Sequence, residues 1–368
     1  MIRCTRCVMS STRPSTAFID GVCSACLNFD RRADVDWPAR RADLLQLLDR
    51  HGGKCVVASS GGKDSTYIAV TLRDLGATPL VVTATTDHLT PIGRANIDNL
   101  ARLFPTIEVS PGHDVRGKIM RIGLETVGDV SLGEHASIWT VPLRVAIQQG
   151  YDLIFYGENP QDEYGGPSVE SGRKAVMDRR WVSEHGGFLG LRMSDLIGRE
   201  GIRERDLYWY TYPSEDEIVA SGAVVYFLGA FLPWDSQHNA AVAIEYGMKV
   251  LGVPPCTANW WNHENLDNAA TGLHDHLRWA KYRYGRAADQ LSMDIRRGRI
   301  TRDKALDVLR EREHLFPLMY AGSWTTGVYA RMGMTRAQYI AVEDRFVNRE
   351  LFAGRQPWGD LIPVEQVR

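Results

Sequence analysis

One short stretch of the sequence combines glycines, hydroxyls, one cation and one carboxylate in consecutive positions. These residues are Ser60, Gly61, Gly62, Lys63, Asp64 and Ser65. The stretch lies between an apolar run typical of a buried strand, Cys55 to Ala58, and a helical apolar pattern that begins at Thr66. A helix N-terminus offers unpaired N–H groups and positive potential, and glycines let the backbone approach an oxyanion closely. The spacing is neither GxxxxGK[ST] nor GxGxxG, so the residues predict a phosphate-binding loop of another kind.

A second polar group follows the apolar run Asp152 to Tyr156, which we predict to be a strand. Gly157, Glu158 and Asn159 come directly after it. Ligands of open α/β sheets bind beyond the carboxyl ends of strands, so we expect Glu158 and Asn159 to face the same crevice as the first loop. Glu158 and Asp162 are candidates for proton handling or metal support, with a solvated carboxylate as the alternative for Glu158.

Four of the six cysteines form two Cys-x2-Cys pairs near the start of the sequence. The pairs are Cys4 with Cys7 and Cys23 with Cys26, and Asp20-Gly21 supplies a turn between them. Two such pairs complete a tetrahedron of thiolates around zinc, with no open position for chemistry. We therefore predict a structural zinc knuckle, with a redox or disulfide arrangement as the alternative.

The remaining pattern alternates strands and helices. Strand-like runs lie at 55–58, 79–84, 106–109 and 152–156, and helical patterns lie between them at 66–75, 92–103 and 137–149. This alternation predicts an α/β fold with a doubly wound parallel sheet. The expected organisation is a knuckle at 1–30, an α/β domain at 31–200, and a mostly helical substrate or partner region at 201–368.

The second half contains further features that we interpret individually. The segment Ser168 to Gly201 is rich in Gly, Arg and Ser, which favours a long excursion or mobile segment. The glycine-rich stretch Gly165 to Gly201 is a candidate lid or partner-docking surface, with a disordered loop as the alternative. His274 and His276 lie two apart and cannot share a helix face, so a surface helix is the simpler interpretation. A run of basic residues has two interpretations: contact with a nucleotide-sugar phosphate, or a solvated helix end. These residues are Arg296, Arg297, Arg299 and Arg302.

Composition excludes several classes of protein. Apolar residues make up 44% and charged residues 24%, as in soluble globular proteins. Lys plus Arg number 43 against 45 for Asp plus Glu, so the chain lacks the basic excess of proteins that coat nucleic acid. The longest apolar run, Ala223 to Trp234, is too short to span a membrane, and the first residues lack the apolar core of a secretory signal. We therefore expect a cytoplasmic enzyme without nucleic-acid partners.

The loop at Ser60 resembles the SGGxDS signature of the PP-loop, or N-type, ATP pyrophosphatases. The resemblance implies a HUP-like fold, and a loop that grips the pyrophosphate of ATP while the substrate attacks the α-phosphate and AMP is released. It implies ATP contacts along the loop and at the strand end: Ser60, Gly61, Gly62, Lys63, Asp64, Ser65, Thr66 and Gly157.

Further motifs narrow the resemblance to one family. They are the opening CxRCVM, the GVCxxC of the knuckle, Phe231 to Asp235, and the series from His274 through Tyr284-Gly285-Arg286 to Arg302. Together, from Cys4 to about Leu309, they resemble the N-acetyl sugar amidotransferases of bacterial surface-polysaccharide biosynthesis. The sequence departs from that family near Cys256, where the family usually has glycine.

The resemblance implies an ATP-dependent, AMP-forming C–N ligase. It would adenylylate the carbonyl oxygen of an N-acetyl group on a sugar or nucleotide sugar, and ammonia from a separate glutaminase/cyclase-like pair would then give an acetamidino group. ATP, Mg2+ and structural Zn2+ are the expected cofactors, with Lys63, Asp64 and Glu158 as catalytic candidates. The substrate candidates are Asn159, Tyr164, Trp234 and Asp235. The alternative is a PP-loop sulfurtransferase acting on tRNA or a small metabolite, with Cys256 involved.

Overall fold

The computed structural model describes residues 1–168, 170 and 175–364 of the chain. Its first elements are a small hairpin, β1 (Phe18–Ile19) and β2 (Val22–Cys23), and the helix α1 (Ser24–Arg31) that follows directly. Asp20 and Gly21 form the hairpin turn with φ angles of 48° and 79°, a region that glycine adopts without strain. The predicted turn between the two cysteine pairs is confirmed.

A parallel sheet of five strands forms the centre of the described residues. The strands are β3 (Lys54–Ser59), β4 (Thr78–Ala84), β5 (Thr106–Val109), β6 (Leu153–Tyr156) and β7 (Val224–Phe227). They lie in the order β5-β4-β3-β6-β7, and all neighbours are parallel. The chain winds outward from β3 to β5 and then returns to β6, so the order reverses between β3 and β6. Such a switch point leaves a crevice for ligands beyond the carboxyl ends of its two strands.

Helices cover both faces of this sheet. They are α2 (Trp37–Arg50), α3 (Lys63–Asp74), α4 (Pro91–Leu103), α5 (His113–Val127), α6 (Leu132–Gln149), α7 (Pro160–Glu163), α8 (Arg179–His185), α9 (Glu215–Ser221) and α10 (Ser236–Glu245). On one face Leu72 belongs to the same buried cluster as Val57, and on the other Val141 and Trp181 join Val56. The predicted doubly wound α/β fold is confirmed.

The edge strand β7 lies where we predict mostly helix. Its residues belong to the apolar run Ala223 to Trp234, which is too short to distinguish strand from buried helix by periodicity. Both β7 and α10 follow residue 200, where we predict the α/β domain to end. The division at residue 200 stays a prediction, although the sheet takes its edge strand from beyond that boundary.

The C-terminal part of the described chain is mostly helical, as predicted. Its elements are α11 (Thr271–Tyr282), α12 (Arg286–Arg296), α13 (Arg302–Arg312), β8 (Met319–Tyr320), β9 (Ser323–Trp324), α14 (Thr326–Arg331), α15 (Arg336–Glu343), β10 (Phe352–Arg355) and β11 (Leu361–Pro363). Tyr284, Leu291 and Leu309 belong to one buried cluster with Met9 of the cysteine-rich segment. Within the described ranges, every helix is too short or too polar to cross a membrane.

Two interpretations of this region are wrong. The helix with His274 and His276 is not on the surface: Asp275 and His276 are each 4% exposed, and His274 contacts Asp129 at 2.8 Å. The basic run is not a solvated helix end, because Arg302 donates to the backbone oxygens of Cys4 and Cys7. Charged groups in both places have partners, as buried and partly buried charges require.

The segment Ser168 to Gly201 also differs from the prediction. Residues 169 and 171–174 lie outside the described part of the chain. Within the rest, helix α8 places Trp181 and Val182 in the core, each 2% exposed. This helix is therefore part of the packing on the sheet and not a mobile lid.

Candidate functional site

The predicted phosphate-binding loop connects β3 to α3 at the switch point of the sheet. Gly61 has φ 76°, and its N–H donates to Ser59 Oγ at 2.9 Å. Gly62 precedes the first helical residue, and no side chain caps the helix there. The first-turn N–H groups of α3 are therefore available to an anion, as we predict from the sequence.

Gly61 cannot be replaced by alanine without disturbing this loop. A Cβ there would lie 2.7 Å from Ile97 N and 2.9 Å from Asn96 C, at a positive φ. We expect Gly61→Ala to lower the melting temperature by about 5 °C or more. Gly62→Ala is the matched control, because φ is −81° and the nearest atom is Ser60 Oγ at 3.4 Å. Equal melting temperatures of the two variants by differential scanning fluorimetry would contradict this prediction.

A cavity of about 380 Å³ opens between this loop, the end of β6 and the segment 263–267. Nine of the predicted site residues contribute to its wall: Ser60, Gly61, Gly62, Lys63, Asp64, Ser65, Gly157, Glu158 and Tyr164. The predicted ATP contact Thr66 is 1% exposed and packs behind the wall. The structure thus brings together the two polar groups that follow β3 and β6.

Lys63 lies at the centre of the charged part of the cavity and is only 5% exposed. Its Nζ is 2.5 Å from Asp64 Oδ2 and 3.9 Å from Glu264 Oε1. Burial opposes the ammonium, but the carboxylates of Asp64, Glu264 and Glu158 outweigh it and raise the pKa of Lys63. The second oxygen of Asp64 accepts from Asn239 Nδ2 at 2.9 Å. Lys63 is therefore a fixed cation at the open end of α3.

Two further carboxyl groups near Lys63 favour the protonated form. Burial, followed by repulsion from Asp64 and Glu163, raises the pKa of Glu158 well above its ordinary value. Burial also raises the pKa of Glu163 to about 7, although Arg32 opposes the shift. Glu158 is thus a carboxyl group in the cavity wall whose surroundings favour its protonated form more than water does.

The raised pKa of Glu163 predicts a pH dependence of stability. Because the folded-state pKa exceeds the ordinary 4.5, the stability linked to this proton is fully present below about pH 4.5 and is lost as pH rises through about 7. We expect Glu163→Gln to melt about 3–5 °C above the parent at pH 8 and at the same temperature at pH 5.

Glu264→Gln is the control, because the stability that Glu264 contributes should depend on pH in the opposite direction. Despite its burial, Lys63 and Arg286 lower the pKa of Glu264, so its contribution is present above the ordinary pKa and is lost as pH falls. Glu264→Gln should therefore destabilise the protein at both pH 8 and pH 5, and the loss should become smaller only as pH falls below the ordinary pKa of 4.5. A gain in melting temperature for Glu163→Gln that is equal at pH 5 and pH 8 would contradict the predicted pH dependence.

The other predicted residues lie outside this cavity. Asn159 caps α7 through its side-chain oxygen, which accepts from Gln161 N at 3.0 Å. Trp234 is 1% exposed and packs beside Gly157 and Tyr67. Asp235 caps α10 and forms ion pairs with two of the arginines of the basic run. The structure therefore gives Trp234 and Asp235 packing and capping contacts.

The four N-terminal cysteines meet as one cluster. Each thiol is fully buried, and all four Sγ atoms lie within 4.8 Å of one another. The separations of 3.9 Å for Cys4–Cys26 and 3.6 Å for Cys7–Cys23 match the ~3.8 Å edge of a tetrahedron with Zn–S bonds of about 2.3 Å. The residues present fit a four-coordinate metal ion.

The two remaining cysteines do not have the environment of reactive thiols. Cys55 lies in β3, and burial raises its pKa to about 12. Burial, together with repulsion from Asp275, raises the pKa of Cys256 to about 12 as well. Sulfur transfer requires the thiolate, which these environments disfavour.

The C-terminal part of the chain is similar to a known family. Residues 257–363 match the family model described as the C-terminal domain of WbpG-like lipopolysaccharide biosynthesis proteins. The match covers this segment and not the rest of the chain. The predicted resemblance to a family of bacterial surface-polysaccharide biosynthesis is confirmed.

Two further comparisons with known proteins give no information about function. The structure is similar to a predicted subunit of tRNA methyltransferase from Methanocaldococcus jannaschii, at 14% identity and a TM-score of 0.29, over 61% of this chain and 85% of the other. No curated protein sequence matches the chain. A TM-score this low supports no functional conclusion.

The segment that matches the WbpG-like family model supplies one wall of this cavity. The sequence alone does not predict this wall. Glu264, His263 and Arg286 all line the cavity. Tyr164 donates to Glu264 Oε1 at 3.5 Å, and Gln290 Nε2 donates to its other oxygen at 2.6 Å. No local motif marks Glu264, because its role arises from its approach to Lys63 in space.

Proposed function

We propose that the protein is an ATP-dependent, AMP-forming amidotransferase that converts the N-acetyl group of a sugar or nucleotide sugar into an acetamidino group. The observation that carries this proposal is the position of Lys63. It is buried at the uncapped N-terminus of α3, between Asp64 and Glu264. The predicted phosphate-binding loop and the segment similar to WbpG-like lipopolysaccharide biosynthesis proteins thus line one cavity, which supports the proposal.

The chemistry requires activation of an unreactive amide. Attack of the amide oxygen on the α-phosphorus of ATP forms an O–P bond, breaks the bond to the leaving pyrophosphate and gives an O-adenylyl imidate. Ammonia then forms a C–N bond, and AMP leaves with the C–O electron pair while a proton is released. In this proposal, the N–H groups of α3 and the Lys63 ammonium would bind the pyrophosphate as its negative charge develops.

Asp64 and Glu158 have different contacts, and we assign them different parts in this scheme. Asp64 is partly exposed and would hold Mg2+, which neutralises phosphate charge when bound. Burial raises the pKa of Glu158 well above its ordinary value, and Glu158 is the residue that we assign to proton handling.

The proposal includes a structural cofactor and a partner. Cys4, Cys7, Cys23 and Cys26 would hold Zn2+ as a closed structural site, which fixes α1 and carries no catalytic step. Ammonia must arrive unprotonated, because water at the same site would return the starting amide. We therefore assign ammonia delivery to a separate glutaminase/cyclase-like pair, with the reaction taking place in the cytoplasm.

The test is a product assay with purified protein, Mg-ATP, ammonium chloride and a panel of N-acetylated sugars, each free and linked to a nucleoside diphosphate. We expect AMP, pyrophosphate and a sugar about one mass unit lighter, since NH replaces O. ADP as the product, or turnover with sulfide in place of ammonia, would overturn the proposal. Cys256→Ser provides a second criterion: full activity is expected, and loss of turnover would favour a sulfurtransferase.

A further inference from the structure

A second cavity of about 500 Å³ lies beyond the wall that Glu158 forms. Its lining comes from α1, the start of α2 and the residues after β6 and β7. Glu158 belongs to the walls of both cavities. The two spaces therefore approach each other at the residue that we assign to proton handling.

The volumes argue that the two substrates occupy different cavities. Ligand pockets for drug-sized molecules span about 300–1,000 Å³, so the first cavity, at about 380 Å³, is near the lower limit of the size expected for a single ligand. The second cavity is of similar size and is far larger than ammonia requires. An acceptor bound there would present its acetamido group toward Glu158 and toward a nucleotide held by Lys63.

The lining of the second cavity has the chemistry of a carbohydrate site. Trp37 is partly buried and offers an aromatic face to the apolar side of a sugar ring. Asp34 and Asp43 are exposed carboxylates that accept hydrogen bonds from hydroxyls, and Asn159 stands beside Glu158. Arg40 adds an exposed cation suited to the phosphate of a carrier.

We propose that the second cavity binds the N-acetylated sugar acceptor, with Trp37 as its stacking residue, and that the acceptor meets ATP at Glu158. This inference rests on the proposed function and assigns the acceptor a site of its own. It also gives α1, the helix that continues from the cysteine cluster, a place in acceptor binding through Asn28 and Arg31.

The test measures the rate of AMP release by Trp37→Ala as a function of the concentration of the best sugar in the panel. We expect the KM for the sugar to rise about tenfold, the KM for ATP to stay within about twofold, and Trp37→Phe to recover most of the loss. Trp324→Ala is the matched control, because that indole is 60% exposed and lies outside both cavities. We expect this control to match the parent.

A second pair of variants guards against a folding defect in Trp37→Ala. Ala39 is an exposed residue of the second cavity, so Ala39→Trp fills it without removing a core group, and Ala220→Trp on the exposed part of α9 is its control. An unchanged sugar KM in both Trp37→Ala and Ala39→Trp, or an equal rise in the ATP KM, overturns the acceptor site while AMP release by the parent continues. Absence of sugar-dependent AMP release in the parent overturns the proposed function, and with it this inference.

Discussion

Lys63→Met is expected to reduce AMP release by about a thousandfold, the scale seen when one preorganised donor to a developing oxyanion is removed. The ammonium is fixed by Asp64 at 2.5 Å and by Glu264 at 3.9 Å, so water does not replace it at low cost. The same change leaves the buried Glu264 without its nearest cation, which costs about 3–5 kcal/mol for a buried pair. We therefore expect a lower melting temperature together with the loss of turnover.

A double variant separates these two effects. Lys63→Met combined with Glu264→Gln removes the unpaired charge, so stability should return while turnover stays low. Melting temperature is measured by scanning fluorimetry and AMP by chromatography. A single variant that retains more than a tenth of the parent rate would contradict the role of Lys63. Recovery of turnover in the double variant would show that Lys63 acts only by neutralising Glu264.

Loss of the metal from the cysteine cluster is expected to have the largest effect on stability. Cys26→Ser removes one of four thiols that lie within 4.8 Å of one another, and we expect zinc content to fall below 0.1 equivalents, on the order of a tenth of the parent. The melting temperature should fall by about 10 °C or more. Helix α1 is affected because it contains Cys26. The effect should extend to residues 161–166, because Ser24 Oγ donates to Gly166 O and Asn28 Nδ2 donates to Gln161 O.

The readouts for this variant are metal content by plasma mass spectrometry and amide hydrogen exchange of 24–31 and 160–166. Faster exchange is expected in both segments, since each is tied to the other. Cys256→Ser is the control, because its thiol donates to Asn259 Oδ1 at 3.2 Å and a hydroxyl keeps that contact. A parent protein without bound metal, or a Cys26→Ser variant with unchanged metal and exchange, would refute the zinc assignment.

The sequence predicts the parts of the site that depend on local structure. The loop at Ser60 and the group at Glu158 each follow a short apolar strand, and parallel strands bring their carboxyl ends to one edge. The cysteine cluster is equally local, since two tight pairs and one turn are sufficient to assemble it. In these places residue type and spacing determine the geometry.

Glu264 is beyond the reach of such reasoning, and Arg286 belongs to a motif of the family resemblance that does not predict a place in the cavity. Each reaches the cavity only because the C-terminal region packs against the switch point. Arg302 illustrates the same limit, because its charge pattern suggests a solvated helix end while its donors contact Cys4 and Cys7 oxygens. Contacts between residues far apart in the chain determine these roles.

The packing of the cysteine cluster against α12 and α13 has a consequence for synthesis of the chain on the ribosome. Cys4 to Cys26 emerge almost 300 residues before Leu291, Arg302 and Leu309, which pack against the cluster. At about 5–20 residues per second, the thiols stay uncovered for roughly 15–60 s. The thiols would therefore be open to metal capture before tertiary burial, and we expect the availability of zinc during translation to affect whether the cysteine-rich segment is ready to receive α12 and α13.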